Sequence, residues 1–365
     1  MTRYHKPKKG QAQVRILHII DADGLGRAGK ATTEFILGLA EAGANQGVVA
    51  ERGLELGLLD GLELERFDIG KNGRADGFAN RVRAFMLGFE FRPDIAIKWG
   101  AAARTVPLGE RLLQISHVLE PKDLRGLARG DYVMTTSARM FSAAQEGGFS
   151  GAKSFLFPSA VYEHRGVAPI TRRDLFIPER ADAVFIGGNL ASGRGFEPLF
   201  EALAGIPETY FIVSGTGPDE EKIKDFAQRV NIKSRCRFFP EIEKSRALMK
   251  LAKFAILPAS GEEQALRITE CRAGGCAVLA QDSPFAREHV RDGSDGFIMP
   301  AADVYLIRNR VRELLAMEAD TLDAMAGHAR NKAVLAPRVM PGYLAELEAL
   351  HDRWRGRRKL LPSLR

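Results

Sequence analysis

Nothing in this 365-residue chain is long and apolar enough to cross a bilayer as a helix; no run approaches the roughly 18–20 residues that a span requires. The first ten residues, MTRYHKPKKG, are basic but lack an apolar core, so they do not read as a secretory signal. Cysteine is scarce. The three present, Cys236, Cys271 and Cys276, are odd in number and lack the spacing of a disulfide framework or a metal ribbon. A reduced, cytoplasmic setting is therefore the simpler expectation. Net charge is missing from the body of the chain. Of the formal +7, residues 1–10 carry four Lys/Arg and no acid, and residues 351–365 carry six against Asp352, which leaves the intervening residues at about −2. A near-neutral body lacks the basic face of a nucleic-acid protein, and no nucleic-acid partner is expected. The basic tails read first as solvated ends. Their functional reading is a peripheral attraction to an anionic membrane surface, worth about 1 kcal/mol per basic residue.

The length is sufficient for two domains with substantial cores. Short apolar, β-branched runs at Val14–Asp21, Gly47–Ala50, Leu62–Ile69, Asp94–Trp99, Leu112–Val118, Tyr132–Thr136 and Ser154–Phe157 predict strands. Between them come a loop over Ala22–Lys30 and helices over Ala31–Ala42 and Phe78–Phe91. Periodicity breaks over Ala160–Ala181, then restarts as strands at Ala183–Ile186, Tyr210–Ser214, Cys236–Phe239, Phe254–Leu257, Val278–Ala280 and Gly296–Met299, with helices between. Alternating strands and helices predict parallel sheets covered on both faces. After Pro337 and Pro341, Tyr343, Leu347, Leu350 and Trp354 form one apolar helical stripe that must dock on something. The expected division is a basic tail at 1–12, domains at 13–165 and 182–336 joined by a linker at 166–181, a helix at 337–356, and a second basic tail at 357–365.

Several loops have the composition of ligand sites. Gly24-Leu-Gly26-Arg-Ala-Gly29 follows a strand, and Glu51 ends the next one. That context resembles a dinucleotide fingerprint, and it suggests an NAD(P)-dependent oxidoreductase as one alternative. Against it, Asp21-Ala-Asp23 lengthens the turn. Glycine N–H groups near a helix start suit phosphate of any kind. Asp21-Ala-Asp23 also mimics a metal-binding D-x-D, but a structural or capping role is the simpler reading, and no metal is expected. In the second half, Gly187-Gly188-Asn189 through Arg194-Gly195 and Ser214-Gly215-Thr216-Gly217 end neighbouring strands. Glycines permit close backbone approach, and Arg194 offers a fork of donors to a diphosphate. Glu262 and Glu270, eight apart, lie at the tip and about two turns along one helix. Their spacing aims both at one ligand edge, unlike the opposed carboxylates of a glycosidase.

Taken in order, these segments resemble the retaining GT-B glycosyltransferases of glycosyltransferase family four (glycosyl transferases group 1). The resemblance is carried by GGNLxxxRG at 187–195, VSGTGP at 213–218, RFFPEI and FAILPA between 237 and 259, Glu262-x7-Glu270 with AGGCAVLA, and Glu288 with DGSDGFIM at 292–299. The first half contributes ILHII, the glycine loop, PDIAIKWG, QISHV with His117, and TTSARM. The resemblance implies an α/β architecture of two Rossmann-like, doubly wound domains facing each other across a cleft, with the C-terminal helix crossing back to the first domain. It implies a metal-independent, hexosyltransferase-type enzyme that needs no cofactor and uses a nucleotide-diphospho-sugar.

On the same resemblance, Glu262, His117 and Arg194 are the catalytic candidates. Glu270 would hold the ribose, and Glu262 with the N–H groups of Gln264, Ala265 and Leu266 would face the donor sugar and distal phosphate. Gly24, Gly26, Gly188, Asn189 and Gly215 complete the expected donor-binding set. No protein nucleophile is implied, because the leaving phosphate takes the acceptor's proton on the attacked face. The expected acceptor is a glycan or lipid-linked glycan of envelope polysaccharide or lipopolysaccharide synthesis. Asn189 stands where the family has a basic residue, Glu263 and Gln264 where it has glycine and a bulky residue, and Ala277 where it has proline. These departures leave open a second alternative, a GT-B protein that binds the nucleotide sugar with impaired catalysis.

Overall fold

The computed structural model describes residues 14–51, 54, 59, 65–69, 92–106, 108–109, 111–127, 131–149, 151, 153–161, 169–240, 245–258, 261–300 and 302–359. The chain forms two compact units: residues 1–162 with 335–365, and residues 163–334. Strands are β1 (Arg15–Ile20), β2 (Asn45–Glu51), β3 (Glu65–Ile69), β4 (Ile95–Trp99), β5 (Leu113–His117), β6 (Tyr132–Thr135) and β7 (Ser154–Leu156) in the first unit. The second has β8 (Asp182–Gly187), β9 (Thr209–Ser214), β10 (Cys236–Phe239), β11 (Phe254–Leu257), β12 (Val278–Gln281) and β13 (Phe297–Met299). Helices are α1 (Ala22–Glu41), α2 (Ala101–Arg104), α3 (Ala138–Glu146), α4 (Phe196–Ala204), α5 (Glu220–Arg229), α6 (Ser245–Met249), α7 (Glu262–Gly274), α8 (Pro284–His289), α9 (Val304–Ala316), α10 (Ala319–Arg330) and α11 (Ala336–Lys359).

The first unit's seven strands run in the order β3-β2-β1-β4-β5-β6-β7, and the second unit's six in the order β10-β9-β8-β11-β12-β13. Every pairing in both sheets is parallel. The strand order reverses direction between β1 and β4 and again between β8 and β11, and open α/β sheets bind ligands at the carboxyl edge of such points. Both faces of the second sheet are covered, so its strands are apolar throughout instead of alternating with polar residues. Val184, Ile186, Phe211, Val213, Phe254 and Ile256 build the core on one face. Ala183, Phe185, Ile212, Ala255 and Leu257, one residue out of step, build the other.

Two expectations need correction. Ala22–Lys30 is not a loop: α1 begins at Ala22, and only Asp21 separates it from β1. Gly24, Gly26 and Gly29 are wound into the helix. Each glycine costs about 1 kcal/mol against alanine there, which is why composition alone suggests a break. The turn is therefore short, and its length does not separate it from a dinucleotide loop. A dinucleotide loop nevertheless needs its glycines in the turn itself, and here they lie beyond it. Secondly, Pro337 and Pro341 do not punctuate the chain: the last helix begins at Ala336, and both lie inside its first turns. Pro337 falls where the N–H has no helical acceptor anyway, and Pro341 forfeits one ladder bond. The predicted helix over Phe78–Phe91 and the tails at 1–12 and 360–365 lie outside the described residues.

The last helix belongs to the first unit. A bridge pairs Val161 with Leu335, and Ala336 N–H donates to Val161 O at 2.9 Å, leading the chain into α11. Tyr343 stacks on Phe157 at 4.6 Å and meets Phe35 of α1 at 6.4 Å, while its hydroxyl donates to Pro158 O at 3.1 Å. Met340, Leu344, Leu347 and Leu350 are buried below it. A Cβ on Gly38 would lie 2.5 Å from Met340 Cγ, so glycine lets α1 and α11 approach closely. No described helix is long and apolar enough to cross a membrane.

Candidate functional site

At the reversal point of the second sheet, the loops after β8 and β9 are laced together. Gly188 N–H donates to Ser214 O at 3.3 Å, Leu190 N–H to Thr216 O at 2.9 Å, and Asp219 N–H to Leu190 O at 3.0 Å. The approach is too close for side chains: a Cβ on Gly215 would sit 1.9 Å from Gly188 O, and one on Gly217 2.3 Å from Leu190 O. Gly215 is thus required by loop-on-loop packing whatever else meets it. Asn189 lies in this seam with a buried Oδ1 that has no hydrogen-bond partner among the described residues. Asp219 closes the β8 loop by accepting from Ser192 N–H at 2.9 Å. The neighbouring Lys222 ammonium, followed by Ser192, holds the Asp219 carboxyl down to about 2.

Arg194 is half-buried and immediately precedes Gly195, which caps α4 at a φ of 82°. A Cβ on Gly195 would lie 2.6 Å from Pro258 O and 2.4 Å from Gln281 Oε1. This contact seats the end of the β8 loop, at Gly195, against the ends of β11 and β12.

Helix α7 opens at Glu262 behind Gly261, whose φ of 102° turns the chain without crowding; a Cβ there would meet nothing within 4 Å. The carboxylates of Glu262 and Glu263 lie outside the described residues. The expected N–H cradle needs correction. Gln264 N–H already donates to Gly261 O at 3.0 Å, and Ala265 and Leu266 are the fourth and fifth helical residues. By position Leu266 N–H falls to the helix ladder, and the N–H groups of 262 and 263 have no intrahelical acceptor. Gln264, 1% exposed, has a structural task. Its Nε2 donates to Gln281 O at 2.7 Å, and its Oε1 accepts from Ser283 Oγ, which caps α8.

One turn further along, Arg267 and Glu270 form a buried ion pair at 2.8 Å, with the two residues 1% and 5% exposed. One Glu270 oxygen is thereby engaged by the Arg267 guanidinium. Its only sequence signal is the i,i+3 spacing of opposite charges on a helix. Three side chains at 264, 267 and 270 thus make a polar stripe on the inward side of α7. The cysteines supply no nucleophile: all three are free and buried, and burial pushes Cys236 and Cys276 to about 12 and Cys271 well upward.

In the first unit, His117 ends β5 and is 2% exposed. Its ring lies 4.7 Å from that of Trp99, which ends β4. Arg104 Nη1 donates to His117 O at 3.2 Å, and Arg104 Nη2 pairs with buried Asp123 at 2.9 Å. Asp123 in turn accepts from Leu119 and Glu120 N–H, so the loop following His117 is pinned from both ends. Nothing in the sequence links Arg104 to Asp123; the fold does. Asp21 accepts from Ala103 N–H at 2.8 Å, a local anchoring role for the first acid of the D-x-D. Gly24 and Gly26 follow at the same edge of this sheet, inside α1. The second sheet's edge therefore brings together Gly188, Asn189, Arg194, Gly215, Gln264, Ala265, Leu266, Glu270 and the backbone of Glu262. His117, Gly24 and Gly26 form a separate set on the first.

Two Rossmann-type parallel sheets, with the last helix returned to the first unit, define the GT-B fold. Residues 152–332 match the family model described as glycosyl transferases group 1. Over 319 residues the chain is 20% identical to the lipopolysaccharide core biosynthesis glycosyltransferase LpsE of Rhizobium meliloti, covering 87% of this chain and 88% of that protein. Among solved structures, Anabaena HepE in complex with UDP and glucose superposes with a TM-score of 0.75 at 16% identity, covering 92% of this chain and all of that one. WaaG, a glycosyltransferase involved in lipopolysaccharide biosynthesis, gives 0.71 at 14% identity, covering 92% of this chain and 99% of that one. At such identities the structural likeness speaks for the fold.

Proposed function

We propose that this chain is a retaining, metal-independent glycosyltransferase that moves a hexose from a nucleotide-diphospho-sugar to a glycan or lipid-linked acceptor in lipopolysaccharide synthesis. The observation that carries this reading is the convergence of the laced glycine loops, Arg194 and the Glu270 helix at one reversal point of a parallel sheet. Glu270, held by Arg267 on one oxygen, meets the donor's ribose hydroxyls. Arg194 and the two leading N–H groups of α7 receive the diphosphate, which gains charge as the glycosidic bond breaks. A preorganised donor aimed at developing charge is worth about 10²–10³ in rate. Glu262 and His117 contact the transferred sugar, and the departing phosphate oxygen accepts the acceptor's proton. UDP is the first nucleotide to test, because HepE carries it. The acceptor class follows the LpsE and WaaG likenesses.

Thermal-shift titration with UDP, GDP, ADP and NAD(P), followed by sugar-donor hydrolysis, tests the proposal. Stabilisation by one nucleoside diphosphate is expected, weakened about 10–100-fold in Glu270→Gln, since a hydrogen bond to a charged group contributes about 1.5–3 kcal/mol. Nucleotide binding without hydrolysis or transfer identifies a non-catalytic binder. Stabilisation by NAD(P) alone refutes the transferase.

A further inference from the structure

A chain of directed hydrogen bonds lies behind His117. Gln46 Nε2 donates to Ile36 O at 3.0 Å, and Gln46 Oε1 lies 2.7 Å from His18 Nε2. Trp99 Nε1 lies 3.1 Å from His18 Nδ1. An indole N–H can only donate, so His18 must accept at Nδ1 and carry its proton on Nε2. That proton points at the Gln46 carbonyl oxygen, which fixes the amide's orientation and sends its N–H₂ to Ile36. Every link has one possible direction. Burial holds the His18 imidazole down at about 4, so the acceptor survives at neutral pH. The indole is also hemmed in by Phe35, 5.5 Å away at 63°.

We propose that Trp99 is a positioning residue for His117, and that the His18–Gln46 pair exists to hold the indole in that task. The proposal rests on the reading of His117 as a group that meets the transferred sugar. The Arg104 guanidinium fixes the His117 carbonyl. Trp99 packs on the imidazole itself and restricts its rotation: the rings are 4.7 Å apart at 51°, and both residues are 2% exposed. An indole serving only as core filler would need its N–H satisfied, which any carbonyl could do. Here the partner is a histidine whose tautomer is itself locked by a third side chain, and this specifies the plane of the indole. Small misplacements of a group that meets the reacting sugar cost up to about 10²-fold in rate.

The test uses the full chain. His18→Leu removes the acceptor for Trp99, whereas His18→Gln keeps an amide oxygen able to accept. Donor hydrolysis should lose about 10–100-fold in kcat in His18→Leu and in Trp99→Phe. KM for the donor and Kd for UDP should stay within about threefold, and His18→Gln should recover most of the rate. Folded fraction is measured alongside by circular dichroism. Histidine-selective ¹⁵N spectra give a second readout that needs no turnover. The His117 ring should give one sharp set of signals in the wild type and His18→Gln, and broadened or doubled signals in His18→Leu. Unchanged kcat in a folded His18→Leu protein, or His117 signals indifferent to the His18 substitutions, overturns the proposal. A wild type that hydrolyses no donor overturns the transferase reading instead, and the spectra still decide whether Trp99 positions His117.

Discussion

Burial of charge and close backbone contact set the sensitivities of individual residues. Arg267 and Glu270 are both out of water, and removing one partner of such a pair costs about 3–5 kcal/mol because the other charge is left uncompensated. Glu270→Gln keeps shape and an acceptor but leaves the Arg267 charge uncompensated, so its folded fraction is measured together with its nucleotide binding. Gly215→Ala acts through the backbone: its Cβ would lie 1.9 Å from a carbonyl oxygen that cannot rotate away. Loss of about 2–4 kcal/mol in urea unfolding is expected, with nucleotide binding weakened as the two loops part. His18 makes acid stability predictable. Its folded pKa of about 4 lies below the unfolded 6.5, so the unfolded chain takes the proton first. The contribution is complete above about pH 6.5 and is lost as pH falls towards 4, amounting to about 3 kcal/mol. His289 and His351, also lowered by burial, act in the same direction. Unfolding free energy measured across this window should fall less steeply in His18→Leu than in the wild type.

Among the elements, α7 and α11 bury opposite kinds of surface. The inward side of α7 carries Gln264, Arg267 and Glu270, so its stability depends on satisfied polar groups. The buried side of α11 carries Met340, Leu344, Leu347 and Leu350, packed on α1 and the aromatic group of Phe35, Phe157 and Tyr343. Leu350 is fully buried, and Leu350→Ala should cost about 2–5 kcal/mol, measured by urea unfolding. Trp354, one turn further on, would report it by fluorescence. The apolar stripe from Tyr343 to Leu350 is legible in the sequence, since it obeys helical period. The start of the helix is not: prolines at 337 and 341 read as punctuation, and only docking on α1 and the bridge at Val161 make them helical. The same applies to α1, whose glycines read as a loop but are wound into the helix.

At the scale of the molecule, each unit has its own sheet and core, and both tryptophans lie in the first. A nucleotide bound by the second unit stabilises that unit by mass action, about 2.7 kcal/mol at a hundredfold excess over Kd. The midpoint followed by far-ultraviolet circular dichroism should therefore rise more with UDP than the midpoint followed by tryptophan emission. Equal shifts would mean that the units unfold as one.

The fold of the second half of the chain was legible because its strands and turns use local signals. Strand periodicity, small-residue turns at strand ends and the Glu262-x7-Glu270 spacing all act over a few residues, and their serial order specifies a sheet edge. Local patterning is enough to specify the strand–helix alternation, the ordered motif set and the two-domain architecture. Which partners the candidate residues take is set only on folding. Arg267 on Glu270 is a local pair, but its weight comes from burial. Gly215 against Gly188, Arg104 with Asp123, and Gln46–His18–Trp99 behind His117 join residues 19 to 81 positions apart in the chain, or strands adjacent only after the sheet forms. Such contacts have no period to read, because what selects them is the packing of one strand's end against another.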